Sequence, residues 1–318
     1  FPMNDHGVFI AGIIRDIAPG TQVECIRVLN DYCVGDTTTL INALSLIQSR
    51  LLPDGDLYNT PVVVNMSLTA TPSEEGLASL GLTDVSIAPA RIGLLLLMQT
   101  LGQQGVVFAA SSGNGSGPHD KITNPPGERV QPRFPAAFAY PLPGAVLEYP
   151  DLPAMIPVGA VDSLGAAASY SNYPGLLGIG TYGGEIPQSG KYDPATGTQA
   201  QPPIDAPCGI YTSILYPALS VNDPLPIKSP APVSYPEYEP SPVMTWAYWS
   251  GTSFATPVIS ALAARVMETQ PSVGDSVRQA LLNAAPAQVD WTNMDTGQSD
   301  AWGPLIMVSQ VCTNGESE

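Results

Sequence analysis

Residues 251–267 read GTSFATPVISALAARVM. A helix starts near Ser253, because Pro257 is tolerated in a first turn, where backbone N–H groups have no partner inside the helix. Ala255, Ala261, Ala263 and Ala264 give that helix small sides, so it can be buried deeply. A serine at a helix start is commonly only a cap. Here Gly251 and Thr252 also leave room for another molecule to approach. A hydroxyl in that place gains the positive helix end and its own backbone N–H as a donor to a developing negative charge.

Working outward, short apolar runs alternate with amphipathic ones. VECIRVL (Val23–Leu29), PVVVNMS (Pro61–Ser67), GVVFAA (Gly105–Ala110) and MIPVGAVD (Met155–Asp162) read as buried strands. Between them, Asp36 is placed to cap a helix with Leu40, Leu44, Ile47 and Leu51 on one face, and Ser86 to cap one carrying Leu94–Leu97. Asp275 caps a last helix with Val277, Leu281 and Leu282 inward. Fully apolar strands alternating with helices predict an α/β fold, a mainly parallel sheet covered by helices on both faces. Such sheets gather their functional groups at the carboxyl ends of strands. The 318 residues form one domain, 1–318, interrupted by a Pro-rich insertion over 181–247. Its densest part, Gln201–Pro242, holds 11 prolines in 42 residues, which reads as a surface excursion.

Hydrophobic residues make up 44% of the chain, enough for a sizeable core. The net charge of −17 argues against nucleic acid and anionic membrane surfaces as partners. The longest apolar run, Ile92–Met98, is too short to span a bilayer. Phe1 stands first, which sets the expectation of a processed form or a piece of a longer chain. Cys25, Cys33, Cys208 and Cys312 form no CxxC or Cys/His cluster, so zinc is not expected. Disulfides of a secreted protein, the reading favoured, and free thiols both remain open.

Two histidines are present. His119, in GSGPHDK, reads as a solvated side chain. His6 opens HGVFIAGII, where Gly7, Ala11 and Gly12 let a helix pack closely on neighbouring backbone with the ring in its first turn. Asn114, in VVFAASSGNGSG, reads either as a turn residue beside glycine or as an amide aimed at a developing oxyanion.

HGVFIAGII, VVNMSL, VVFAASSGN, FPAAF with MIPVGAVD, ASYSNYP, IDAPCGIYTS and GTSFATPVISALAA follow one another in the order of the subtilisin-like serine proteases, the subtilases, which the chain resembles over residues 5 to about 285. The resemblance implies a serine endopeptidase acting on protein or peptide substrates through an acyl-enzyme. Ser253 matches its nucleophile, His6 its general base and Asn114 its oxyanion amide. Ser67, Leu68 and Thr69 match the edge that pairs with an extended substrate, and Ser111, Ser112 and Gly113 the opposite cleft wall. Thr69 replaces the family's glycine and Phe9 its second histidine. No cofactor is implied. Structural calcium is common in the family, but no ligands can be named here. A secreted, extracellular location is the corresponding expectation.

The resemblance also exposes a gap. In subtilases the aspartate that orients the histidine lies on an earlier strand, and only five residues precede His6. Adjacent side chains do not face one another well, so Asp5 is not assigned. Asp162, in VGAVDSLG, imitates the motif but follows FPAAF, where the family has a structural strand. The expectation is an aspartate strand upstream of Phe1 and impaired catalysis without it. Three rival readings stand beside this one. An α/β-hydrolase needs a histidine after its serine, and none follows Ser253. The sedolisin group uses Glu and Asp where His6 and Asn114 stand. A subtilase-fold binding or structural module that no longer cleaves is the alternative retained. No acidic residue stands in the SSGNGSG wall, so large apolar or neutral residues are the default preference at the cleavage point.

Overall fold

The computed structural model describes residues 5–30, 34–69, 84–116, 130–140, 152–185, 192–193, 198–199, 205–211, 245–269, 274–292 and 299–308. His119, Cys33, Cys312 and most of the Pro-rich insertion lie outside the described residues.

The chain begins with α1 (His6–Ile17) and α2 (Thr37–Arg50) and enters the sheet at β1 (Val63–Met66). Then come α3 (Asp84–Gln103), β2 (Val107–Ser111), β3 (Met155–Val161) and β4 (Ile179–Tyr182). Two short antiparallel strand pairs follow, β5 (Tyr192–Asp193) with β6 (Thr198–Gln199) and β7 (Cys208–Tyr211) with β8 (Thr245–Tyr248). The chain closes through α4 (Thr252–Thr269), α5 (Gly274–Ala284), β9 (Ala287–Thr292) and β10 (Ser299–Leu305).

Among the described residues the main sheet runs β1-β2-β3-β4-β10-β9. Its first four pairings are parallel and only β10–β9 is antiparallel. Alternation along β2 shows why both faces must be covered. Phe108 and Ala110 join a core with Leu44 of α2 and Leu94, Met98 and Leu101 of α3. Val107 and Ala109 join another with Ala255, Ile259 and Ala263 of α4 and Val277 and Leu281 of α5. Successive residues of a strand face opposite sides, so a strand apolar at every position needs helices on each side. The expected α/β architecture is the one found.

Local readings held where a backbone group decides them. The Asp36 carboxylate accepts the Thr39 N–H at 2.7 Å, capping α2. Ser86 is not at a helix start, since α3 begins at Asp84 and runs through it. Val23–Leu29 forms no strand. Its Ile26 and Val28 pack on the α2/α3 core and its Val23 on the α1 core, but the segment makes no ladder with β1. The β9–β10 hairpin adds an edge that periodicity did not announce. Trp302 of β10 is buried over Gly159 and Gly180, where added Cβ atoms would meet its ring at 2.3 and 2.7 Å. Cys25 is a free, exposed thiol, against the favoured disulfide reading at that position. No helix among the described residues is long and apolar enough to cross a membrane.

Candidate active site

The carboxyl ends of β1 and β2 lie side by side, with Met66 opposite Ala110. Their continuations, residues 67–69 and 111–115, form two walls, and the N-terminus of α4 closes the end between them. The cleft of about 380 Å³ is lined by His6, Ser67, Leu68, Thr69, Ser111, Gly113, Asn114 and Ser253, and also by Leu29, Gly115, Arg133 and Thr252. Residues separated by as much as 247 positions thus share one hollow at the expected end of the sheet.

Pro257 is the sixth residue of α4, not part of its first turn as the sequence suggested. Lacking an N–H, it cannot bond the carbonyl four residues back, which belongs to Ser253. The Ser67 hydroxyl supplies the missing donor at 2.7 Å and itself accepts the Asn65 amide N–H at 3.0 Å. Ser253 Oγ donates in turn to the Ser67 carbonyl at 3.4 Å. The hydroxyl therefore points along the 67–69 wall.

Asn114 is fixed by the same helix end. Its Oδ1 accepts the Thr252 N–H at 2.9 Å and the Thr252 hydroxyl at 2.7 Å. With the amide oxygen engaged twice, its NH2 group is the remaining face. Asn172, fully buried, braces the loop from behind. Its Oδ1 accepts the Gly115 N–H at 2.7 Å, and its Nδ2 donates to the Ser112 carbonyl at 3.1 Å. Gly113 has φ +110°, and a Cβ there would lie 2.7 Å from Asn172 Nδ2, so only glycine fits.

Ser112 does not reach the cleft. Its N–H donates to Val158 O and its carbonyl accepts the Arg133 N–H, both at 2.9 Å, while its hydroxyl donates to Asn172 O. It braces the wall rather than forming the face assigned to it. Asp162 is also elsewhere: its carboxylate accepts the Leu164 and Ala166 N–H groups in the turn after β3.

His6 starts α1 as expected and is partly buried. Its ring meets Trp249 and Phe254 edge to face, at centroid distances of 5.8 and 5.3 Å. Burial disfavours the charged imidazolium and lowers the pKa from 6.5 to about 4. Among the described residues lining the cleft none is a carboxylate, and the ring is held by aromatic packing. Trp249, Phe254, Asn172 and Arg133 escaped the sequence reading as functional neighbours, although each lies in or beside a quoted motif, and Thr252 was read only as leaving room for a substrate, not as the residue that holds Asn114.

The profile of the subtilase family matches residues 2–303. The chain belongs to the subtilase family. Subtilases are serine peptidases, and this subtilase shares that hydrolase class. Its fold is similar to the crystal structure of a lanthipeptide protease, with a TM-score of 0.52 and 17% identity over 89% of this chain and 68% of that one. It is likewise similar to a cold-adapted subtilisin-like serine proteinase, with a TM-score of 0.51 and 18% identity over 96% and 75% of the two chains. No curated protein sequence matches this subtilase. Among the described residues no group of three or more His, Cys, Asp or Glu side chains is placed to hold a metal ion.

Proposed function

We propose that this subtilase is an endopeptidase that cleaves peptide bonds through an acyl-enzyme on Ser253. His6 takes the hydroxyl proton as general base and later protonates the leaving amine. The Asn114 NH2 group and the Ser253 N–H receive the oxyanion. An extended substrate adds as a strand along Ser67–Thr69 and faces Ser111 and Gly113 across the cleft. Protein groups alone carry this chemistry, and the substrates are proteins or peptides. An extracellular location belongs to the same proposal.

The observation that carries it is the convergence of His6, Asn114 and Ser253 on one cleft. The orientation of Asn114 supports the role given to it, since Thr252 holds the oxygen and leaves the donor face. A fluorophosphonate probe tests the proposal. Labelling that Ser253→Ala abolishes and His6→Ala slows is expected. Labelling that survives Ser253→Ala refutes it.

A second reading has an observation of its own. His6 is packed by Trp249 and Phe254, with no carboxylate among the described cleft residues to fix its tautomer. That favours low turnover and keeps a non-cleaving subtilase-fold binding module in view. Peptide binding without any Ser253 labelling would select it.

A further inference from the structure

We infer that Arg133 sets the specificity of the cleft, selecting substrates with an acidic side chain, Glu or Asp, immediately before the scissile bond. The inference rests on the reading of Ser253 and Asn114 given above, and it replaces the default preference for apolar or neutral residues.

Among the described residues that line the cleft, Arg133 carries the one permanent charge. Its place is built by the absence of side chains opposite. A Cβ on Gly115 would lie 2.8 Å from Arg133 Nη2, and one on Gly113 would lie 3.4 Å from Arg133 Cδ. The arginine therefore lies along the glycine-only stretches on either side of Asn114. Its backbone is tied to the same wall, since the Arg133 N–H donates to the Ser112 carbonyl at 2.9 Å. Asn114 is in turn bonded to Thr252, the residue before Ser253.

The geometry follows from these ties. A carbonyl carbon attacked by Ser253, with its oxygen at Asn114, places its own residue's side chain beside the 113–115 wall. That side chain meets Arg133 within one residue of the reacting bond. A guanidinium presents a rigid fork that pairs with a carboxylate through two parallel N–H donors. Partial burial in the cleft strengthens such a pair over an exposed one. Lysine or arginine at the same substrate position is repelled. The net charge of −17 makes this cation a local exception, so recognition depends on contact and not on long-range attraction.

The test separates recognition from catalysis. Fluorescein-labelled hexapeptides blocked at both ends, so that no terminal carboxylate competes, carry Glu, Gln, Phe or Lys at one central position. Binding to the full chain with Ser253→Ala is read by anisotropy. The Glu peptide is expected to bind about tenfold tighter than the Gln peptide. Arg133→Gln should bring the two within twofold or so, and Arg133→Lys should retain part of the difference. Gly115→Ala, which displaces the guanidinium by contact with Nη2, should reduce it as well. Equal binding of Glu and Gln peptides to the parent, or a ratio that Arg133→Gln leaves unchanged, overturns the inference whether or not the protein cleaves. Discrimination by Arg133 with no cleavage and no Ser253 labelling upholds it and overturns the peptidase mechanism instead. In the active protein the same Glu-to-Gln ratio should appear in kcat/KM for peptide anilides.

Discussion

Pro257 removes a hydrogen bond from the one turn of α4 that carries Ser253, and Ser67 restores it. This makes a quantitative prediction by double-mutant cycle. Ser67→Ala deletes a donor 2.7 Å from the Ser253 carbonyl and an acceptor 3.0 Å from Asn65 Nδ2. No helical N–H can take over, because residue 257 has none. Leaving a partly buried carbonyl without its donor costs about 1–3 kcal/mol, against the roughly 0.5–1.5 kcal/mol of an ordinary hydrogen bond. In a Pro257→Ala background the new N–H can bond the Ser253 carbonyl itself. There Ser67→Ala should cost only about 1 kcal/mol, mostly for the Asn65 contact. The Asn65 contact is lost in both backgrounds, so the coupling between the two sites is expected at about 1–3 kcal/mol, whatever each substitution does alone. Urea unfolding of the parent, both single variants and the double variant gives the four free energies, with m-values checked for constancy. If Ser67→Ala costs the same in both backgrounds to within about 0.5 kcal/mol, Ser67 is not the substitute donor and the account of this helix start is wrong.

His6, with its pKa lowered to about 4 by burial, favours the neutral ring in the folded state. The unfolded chain binds the proton below 6.5, so this stabilisation is complete above pH 6.5 and is lost as pH falls through about 4, by up to roughly 3 kcal/mol. An NMR titration of the ring should show a midpoint near 4, and the acid limb of kcat/KM should follow it. A midpoint near 6.5 would show that the ring is solvated. Asn114→Ala should lower kcat by about 10²–10³, a range known for subtilisin, of the same family, and carried over here. Its KM should change far less, and a loss confined to KM would make Asn114 a binding residue only. Asn172→Leu takes the Oδ1 acceptor from the Gly115 N–H and one of two donors from the Ser112 carbonyl, which keeps the Arg133 N–H, and should lower stability by about 2 kcal/mol in the same urea assay. A loss under about 0.5 kcal/mol would mean that water replaces the amide.

Parts of this architecture were open to reading because single segments decide them. The α2 face follows from Leu40, Leu44 and Ile47 with Asp36 as cap, and β2 follows from an unbroken apolar run. Val23–Leu29 reads as a strand and forms none, because an apolar run measures what side chains prefer, not whether a neighbouring backbone offers a ladder. The β9–β10 hairpin was invisible because Trp302 finds its place only over glycines of two other strands. The same division runs through the site. His6, Asn114 and Ser253 stand in motifs that announce them. The Thr252–Asn114 lock joins groups 138 positions apart, and Arg133 stands just before FPAAF, a motif that says nothing of the residue preceding it. Neither leaves a local trace, since each acquires its meaning from a partner brought near by the fold.

The two halves of the proposed machinery are secured by different forces, and this predicts how the protein would fail. On the nucleophile side every polar group is held by directed bonds: Ser253 through Ser67, Asn114 through Thr252, and the glycine loop through Asn172. Such bonds fix direction as well as position, as pre-formed oxyanion donors require. On the base side His6 is held by Trp249 and Phe254, whose edge-to-face contacts fix the plane of the ring but not which nitrogen carries the proton. Transition-state stabilisation and proton transfer are therefore separable here. The oxyanion site should still recognise a tetrahedral phosphorus centre while the base removes the serine proton inefficiently. Fluorophosphonate labelling should then be slow but dependent on Ser253 and Asn114, and exogenous imidazole should accelerate it in His6→Ala more than in the parent chain.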